Sequence, residues 1–169
     1  MLKVDLRQLE RKRRLRIDEL VPPDDGLWEE TEVRAARPLR VQLEAQIAGH
    51  DVVVRGALEG SVVLPCRRCL TDVDVAVKED VALLFRRGLT RVEAEEQEVY
   101  TLPERGDELD LHDAIREQVM LAVPRFVICQ ETCRGLCPHC GTNLNQTQCD
   151  CRPVDVDERW AALRKLRTE

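Results

Sequence analysis

The spacing of the eight cysteines is the feature that most limits what this chain can fold into. Two of them form the pair Cys66-Arg-Arg-Cys69, and the other six lie between Cys129 and Cys151. Two cysteines separated by two residues in a tight turn can direct both sulfurs to one point, which tetrahedral zinc requires at metal–sulfur distances of about 2.3 Å. We therefore predict that the chain binds one or two zinc ions.

The C-terminal cysteines offer a complete ligand set. The segment Cys137-Pro-His-Cys140 followed by Gly141 is typical of a zinc knuckle, because glycine tolerates the positive φ often needed after the second ligand. A further pair, Cys149 and Cys151, would close a four-sulfur site. The other four cysteines are candidate ligands of a second site that ties two regions of the chain together: Cys66, Cys69, Cys129 and Cys133.

Other interpretations of the cysteines stay open at this stage. Cys66 and Cys69 could instead share one site with Cys137 and Cys140, and the sequence does not choose between the pairings. Alternatively, Cys137-Pro138-His139-Cys140 is a thiol–disulfide redox motif of the thioredoxin type, which needs a strand before it and a long helix after it. The flanking residues, Gly135 and 141–145, are typical of turns, so we favour metal binding.

The N-terminal sequence has no signal peptide, and no run of about 18 apolar residues could span a bilayer. We therefore expect a cytoplasmic protein without a membrane partner, in which thiols stay reduced and paired cysteines bind metal rather than form disulfides. No set of nucleophile and base is evident, and four thiolates leave a metal no open position for water. We expect neither an enzyme nor a small-molecule substrate.

Alternating apolar residues predict an α+β fold built on a small antiparallel β-meander or barrel-like sheet. Strands are expected over 41–47, 52–58, 61–65 and 72–85, with turns at Gly49-His50 and Glu59-Gly60. A helix from Asp110 to Pro124 packs on the sheet, and a second runs from about Val156 to Arg167. Only 3% of the residues are aromatic, so the core is expected to be aliphatic.

These patterns divide the chain into three parts. Residues 1–37 form a basic N-terminal segment and linker, residues 38–125 an antiparallel β domain with an acidic loop and a closing helix, and residues 126–169 a cysteine-rich zinc-binding tail with a terminal helix. Residues 86–108 are expected to be an exposed, acidic loop.

Charge is distributed unevenly within a net charge of −6. Residues 1–16 carry seven Lys or Arg against two acids, whereas residues 92–117 carry ten acids against two arginines. Basic groups at the N-terminus and on the cysteine loops can pair with phosphates. The candidate nucleic-acid-binding residues are Arg67, Arg68, Arg134, Arg11, Lys12, Arg13 and Arg14.

Residues 38–167 resemble the YceD-like family, described as large-subunit ribosomal RNA accumulation proteins of bacteria and plastids. The likeness rests on Cys66-Arg-Arg-Cys69-Leu70, on the acidic stretch before the predicted helix, and on the segment from Cys133 to Asn145 with Cys149-Asp-Cys151. The resemblance implies metal binding, contact with nucleic acid and support of 23S ribosomal RNA accumulation. Two partners follow as hypotheses: ribosomal RNA held by the basic groups, or a basic ribosomal protein of the large subunit held by the acidic region.

Overall fold

A sheet of long strands organises the chain, which we describe from a computed structural model over residues 2–29, 31, 33–103, 106–151 and 159. A short 3-10 helix, Gly26–Trp28, follows the second strand. The other elements are, in chain order, β1 (Lys3–Asp5), α1 (Leu6–Lys12), β2 (Arg14–Val21), β3 (Arg34–Ala48), β4 (Asp51–Pro65), β5 (Asp72–Arg86), α2 (Arg91–Glu96), β6 (Tyr100–Thr101), β7 (Glu108–Asp110) and α3 (His112–Ala122).

Strands β2 to β6 form the main sheet in sequence order. Strands β2, β3, β4 and β5 pair antiparallel, and β6 pairs parallel to the end of β5. A separate two-stranded antiparallel sheet joins β1 to β7. The predicted α+β class and the antiparallel meander are therefore confirmed.

One face of the sheet is buried and the other is polar, as period-two alternation requires. On β3, Leu39, Val41, Leu43 and Ala45 are buried, while Arg40 points to the opposite face and is exposed. Buried leucines and valines of β4 and β5 extend this core, and Trp28 and Phe85 are its only aromatic members among the described residues. The core is aliphatic, as predicted from composition.

The turn predicted at Glu59-Gly60 is wrong, because β4 runs without a break from Asp51 to Pro65. Gly60 has another role: a Cβ there would lie 3.2 Å from the Cα of Leu39, so glycine allows close approach of the neighbouring strand. Glu59 lies on the polar face and contacts Lys78 of β5 at 2.8 Å. A glycine next to a charged residue resembled a turn, but the pairing across the sheet required an extended backbone.

The expectation of an irregular acidic loop over residues 86–108 is also wrong in part. Helix α2 begins after Thr90, whose side chain accepts the N–H of Glu93 while the Glu93 carboxylate accepts the N–H of Thr90. This capping box was visible in the sequence as Thr90-x-x-Glu93. Strand β6 follows, and Tyr100 stacks on Phe85 with ring centroids 5.2 Å apart.

Helix α3 occupies the position predicted for the closing helix. Its residues Ile115 and Val119 are fully buried, and Asp110 accepts the N–H of His112 at 2.9 Å before the first turn. Arg116 donates to the carbonyl oxygens of Gly26 and Leu27 at 2.8 and 3.0 Å, which ties α3 to the 3-10 helix. The helix predicted over 156–167 lies outside the described residues, apart from residue 159.

The N-terminal part also packs into the sheet and its core. Strand β2 is paired along its whole length with β3, and Leu6 and Leu9 of α1 are buried in the main core. The division of the chain into three parts stays a prediction. No helix of the described residues is long and apolar enough to cross a membrane.

The close approach of β3 and β4 at Gly56 is a sensitive point of the sheet. An added Cβ would overlap the carbonyl oxygen of Gln42 and lie 2.8 Å from the Cα of Leu43. We expect Gly56→Ala to lower the free energy of unfolding by roughly 1–3 kcal/mol, measured by urea denaturation. Gly26→Ala is the control, because its Cβ would meet no atom closer than 3.8 Å. Equal stability of the two variants would contradict the prediction.

Candidate metal centres

Four thiols from two distant segments converge at the end of the sheet where β4 leads into β5. They belong to Cys66, Cys69, Cys129 and Cys133, and all four sulfurs lie within 4.8 Å of one another. The Cys66–Cys133 and Cys69–Cys129 sulfurs are 3.9 and 3.6 Å apart. Tetrahedral zinc with metal–sulfur bonds of about 2.3 Å places its sulfurs about 3.8 Å apart. These four residues, the first thiol group, therefore fit a zinc ion.

The remaining cysteines, Cys137, Cys140, Cys149 and Cys151, form the second thiol group, also with all sulfurs within 4.8 Å. The two groups differ in exposure. Three of the four cysteines are buried in the first group, whereas only Cys137 is buried in the second. The sequence left the pairing of the cysteines open. The structure places Cys66 and Cys69 with Cys129 and Cys133, and not with Cys137 and Cys140.

The two CxxC segments share one local fold. In each, the first cysteine exchanges backbone hydrogen bonds with the residues four and five positions later: Leu70 and Thr71 in one case, Gly141 and Thr142 in the other. The residue after the second cysteine has a positive φ in both, 59° at Leu70 and 72° at Gly141. We call these hairpins knuckle 1 (residues 66–71) and knuckle 2 (residues 137–142).

The local structure does not have the form that redox chemistry at Cys137 and Cys140 would need. Residues 141–151 contain turns and an isolated bridge between Leu136 and Asn143, but no helix. A redox dithiol of the thioredoxin type relies on a helix N-terminus to stabilise its thiolate. Here both cysteines face two further thiols instead of standing alone as a pair.

Hydrogen bonds to sulfur favour thiolates in both groups. Burial opposes ionisation of Cys66, but the backbone N–H groups of Arg68 and Cys129 outweigh it and lower the pKa of Cys66 to about 6. The Thr142 hydroxyl, 3.1 Å from the sulfur of Cys140, leads the contacts that lower the pKa of Cys140 to about 6. A thiolate is the form that binds metal.

One cysteine of the first group, Cys129, and one of the second, Cys151, resist ionisation. Loss of hydration, with the neighbouring sulfurs, raises the pKa of Cys129 to about 12. The contact with Cys140, with burial, raises the pKa of Cys151 to about 12. Four thiolates this close repel one another unless a cation lies between them, and sulfur ligands select zinc over magnesium or calcium.

The two thiol groups are linked by hydrogen bonds. Leu136 donates its N–H to the carbonyl oxygen of Arg68 at 3.0 Å, and the Asn143 side chain donates to the Thr71 hydroxyl at 3.3 Å. The amide of Asn145 donates to the sulfur of Cys133 at 3.3 Å. Residues next to knuckle 2 thus contact knuckle 1 and the sulfur of Cys133 directly.

Two of the predicted nucleic-acid-binding residues are engaged within the protein. Arg67 donates twice to the carbonyl oxygen of Arg125, at 3.0 and 3.3 Å. Arg68 donates to the carbonyl oxygens of Glu131 and Cys133, at 3.2 and 3.1 Å. Both guanidinium groups therefore hold the segment that carries Cys129 and Cys133. No local pattern could have revealed this, because the partners are 58 to 65 residues away.

The other predicted basic residues do not form one surface. Arg134 is exposed beside the first thiol group, whereas Arg11, Lys12, Arg13 and Arg14 lie at the opposite end of the sheet, where Arg14 pairs with Gln46 near the end of β3. The fifteen residues of β4 separate the two ends, a span of roughly 45 Å.

One basic residue that sequence reasoning missed, Arg55, extends the N-terminal basic group, which includes Arg16. Arg16 and Arg55 stand on either side of Glu44 across the polar face of the sheet, and Arg14 and Arg16 contact the Glu44 carboxylate at 3.3 and 3.4 Å. Only strand pairing reveals this cluster. We use the name cationic patch for these arginines together with the basic residues that precede Arg14 in the chain. Its members are Arg11, Lys12, Arg13, Arg14, Arg16 and Arg55.

Comparison with known proteins agrees with the cysteine motifs. The family model described as "Large ribosomal RNA subunit accumulation protein YceD" matches residues 54–167. The chain is 25% identical over 158 residues to the chloroplastic large ribosomal RNA subunit accumulation protein YCED homolog 1 of Arabidopsis thaliana, covering 78% of this chain and 49% of that protein. It therefore spans about half the length of that relative.

Two bacterial proteins are also similar. YlbN of Bacillus subtilis is 27% identical over 156 residues, covering 92% of this chain and 89% of YlbN. Rv2926c of Mycobacterium tuberculosis is 32% identical over 127 residues, covering 74% of this chain and 60% of Rv2926c. No solved structure matches. Since the family model covers more than half of the sequence and includes all eight cysteines, the chain belongs to the YceD family of large ribosomal RNA subunit accumulation proteins.

Proposed function

We propose that this protein is a non-enzymatic, zinc-binding factor that contacts ribosomal RNA of the large subunit and supports accumulation of 23S ribosomal RNA. The observation that carries the proposal is the pair of four-thiol groups at tetrahedral spacing. Four sulfur ligands leave a zinc ion no open position, so the metal would stabilise the fold without activating water or substrate. Membership of a family named for ribosomal RNA accumulation supplies the biological setting.

Zinc would supply stability that packing does not provide at this end of the protein. The apolar cluster there consists of Cys66, Cys69 and Cys133, with Val73 and Leu136 packed against it. So small a cluster is a weak anchor for the segment from 125 to 151. When bound, the metal joins both segments through its sulfur bonds, so its binding free energy contributes directly to folding. We place the protein in the cytoplasm, where its thiols stay reduced.

The cationic patch supports contact with RNA. Three of its arginines, Arg14, Arg16 and Arg55, lie around one carboxylate, Glu44, on the polar face of the sheet. The other three basic residues immediately precede Arg14 in the chain. Farther along the same face, ion pairs are balanced one to one: Arg34 contacts Asp72 at 2.8 Å, and Lys78 contacts Glu59. The unbalanced end of the face suits the phosphate backbone of RNA.

A basic ribosomal protein, bound by the acidic region, is the less favoured partner. Several acidic side chains of that region already have partners within the chain. Asp107 contacts Arg7 at 2.7 Å, and Glu108 contacts Lys3 at 3.0 Å. Glu117 accepts a hydrogen bond from the Tyr100 hydroxyl.

Capture of the protein from lysate before and after ribonuclease treatment distinguishes the two partners. RNA contact predicts that ribosomal material is lost after ribonuclease. Retention of a ribosomal protein would overturn the proposed RNA contact.

The zinc proposal predicts two zinc ions per chain and eight reduced thiols, measured by native mass spectrometry with and without chelator. Cys66→Ser is expected to leave one ion and to lower the melting temperature, because the first thiol group joins the sheet to the C-terminal segment. Cys140→Ser is expected to leave one ion with the sheet intact. His139→Ala, an exposed residue within knuckle 2, is the control and keeps both ions. A metal-free protein with the same fold would contradict the proposal.

The RNA proposal predicts that the double variant Arg16→Ala and Arg55→Ala binds a fragment of large-subunit ribosomal RNA more weakly. Affinity falls as salt rises, and each phosphate contact removed makes the negative slope of log affinity against log salt shallower by roughly 0.7 to 0.9. Fluorescence anisotropy over a salt series measures both quantities. Lys78→Ala removes a cation of the same face whose charge is balanced by Glu59, so it serves as the control. An unchanged salt slope in the double variant would exclude the cationic patch.

A further inference from the structure

Phe126 stands apart from the other aromatic residues. Among the described aromatics, Trp28 and Phe85 are buried and Tyr100 is partly buried against Phe85, whereas the side chain of Phe126 is 81% exposed. Phe126 lies between α3 and Cys129 of the first thiol group. Its ring therefore contributes little to the core and is available to a ligand.

The exposed ring of Phe126 contacts knuckle 1. The guanidinium carbon of Arg67 lies 5.4 Å from the ring centroid, within range of a cation–π contact. That guanidinium is fixed by its two hydrogen bonds to the Arg125 carbonyl oxygen. The backbone N–H of Arg67 also donates to the carbonyl oxygen of Val127 at 2.8 Å, so the chain is anchored on both sides of Phe126.

We propose that Phe126 and Arg67 form a stacking platform for an unpaired base of RNA. The inference rests on the proposed function and adds a second contact point at the opposite end of the long strands from the cationic patch. From Arg55 of the patch to Pro65, where β4 ends, the strand spans roughly 33 Å. Aromatic rings and guanidinium planes both stack on bases, and proteins recognise RNA mainly at unpaired loops and ends whose bases are free to stack. The Arg67 guanidinium is already held by hydrogen bonds, so this part of the platform loses little freedom when a base binds.

The charges around the platform favour nucleic acid over an apolar protein segment. Four arginines, Arg67, Arg68, Arg125 and Arg134, lie within residues 66–69 and 125–134, against one carboxylate, Glu131. The acids at the start of β5 are neutralised: Asp72 by Arg34, and Asp74 by Arg37 at 3.8 Å. The phosphates that flank a stacked base would meet positive charge here.

The test uses the full-length, zinc-loaded chain and a single-stranded RNA oligonucleotide of mixed sequence. We expect Phe126→Ala to weaken binding about ten-fold or more, because stacking is lost. The salt slope should stay unchanged, since no phosphate contact is removed. Phe126→Tyr is expected to restore affinity. Leu121→Ala removes a similarly exposed apolar side chain, 72% exposed on α3, and should have no effect.

An oligonucleotide of the same length with abasic positions separates stacking from phosphate contact. The wild type is expected to lose affinity for the abasic RNA to the same extent as Phe126→Ala does for the normal RNA, and the variant should not distinguish the two. Phe126→Trp adds a direct reporter, because a base stacked on the indole quenches its fluorescence. Circular dichroism and zinc content, expected to be unchanged in every variant, exclude misfolding.

The possible results separate the platform from the proposed function. If the wild type binds RNA and Phe126→Ala binds it equally well, the platform is excluded while RNA contact stands. If the wild type binds no RNA, the proposed RNA contact fails and the platform with it. If Phe126→Ala and Leu121→Ala both abolish binding of a purified ribosomal protein and leave RNA affinity unchanged, the exposed residues form a protein-docking surface, and the stacking proposal is overturned.

Discussion

The convergence of four sulfurs from segments some sixty residues apart is the interaction on which the rest of this structure depends. Cys66 and Cys69 sit in the connection between two long strands, and Cys129 and Cys133 come from the chain that leaves α3. The apolar cluster at this point is too small to hold that chain by hydrophobic burial. A divalent cation held by the four thiolates would relieve their mutual repulsion and join the two segments.

The second thiol group is joined to the first by hydrogen bonds. Leu136 and Asn143 dock on knuckle 1, and Asn145 reaches the sulfur of Cys133. Gly135, with a φ of 76°, allows the close approach, because a Cβ there would lie 3.0 Å from the carbonyl oxygen of Arg68. The buried first group and the exposed second group thus form one connected unit at this end of the sheet.

The long strands separate two surfaces with different chemistry. One end of the sheet carries the cationic patch, where charge is unbalanced around Glu44, and the other carries the thiol groups with the exposed ring of Phe126. A rigid sheet keeps these ends at a constant distance, so an RNA that reached both would be recognised by its shape as well as by its charge.

Local patterns determined much of this protein. Alternation along β3 predicted strands and an aliphatic core, and the CxxC spacing predicted two hairpins that present paired thiols, because these features depend on neighbouring residues alone. Only the tertiary structure decided which cysteines meet, that Glu59-Gly60 continues a strand, that Arg68 binds carbonyl oxygens, and that Arg16 and Arg55 flank Glu44. Strand register and metal clusters join residues far apart in sequence, and no short window of the chain contains both partners of such a contact.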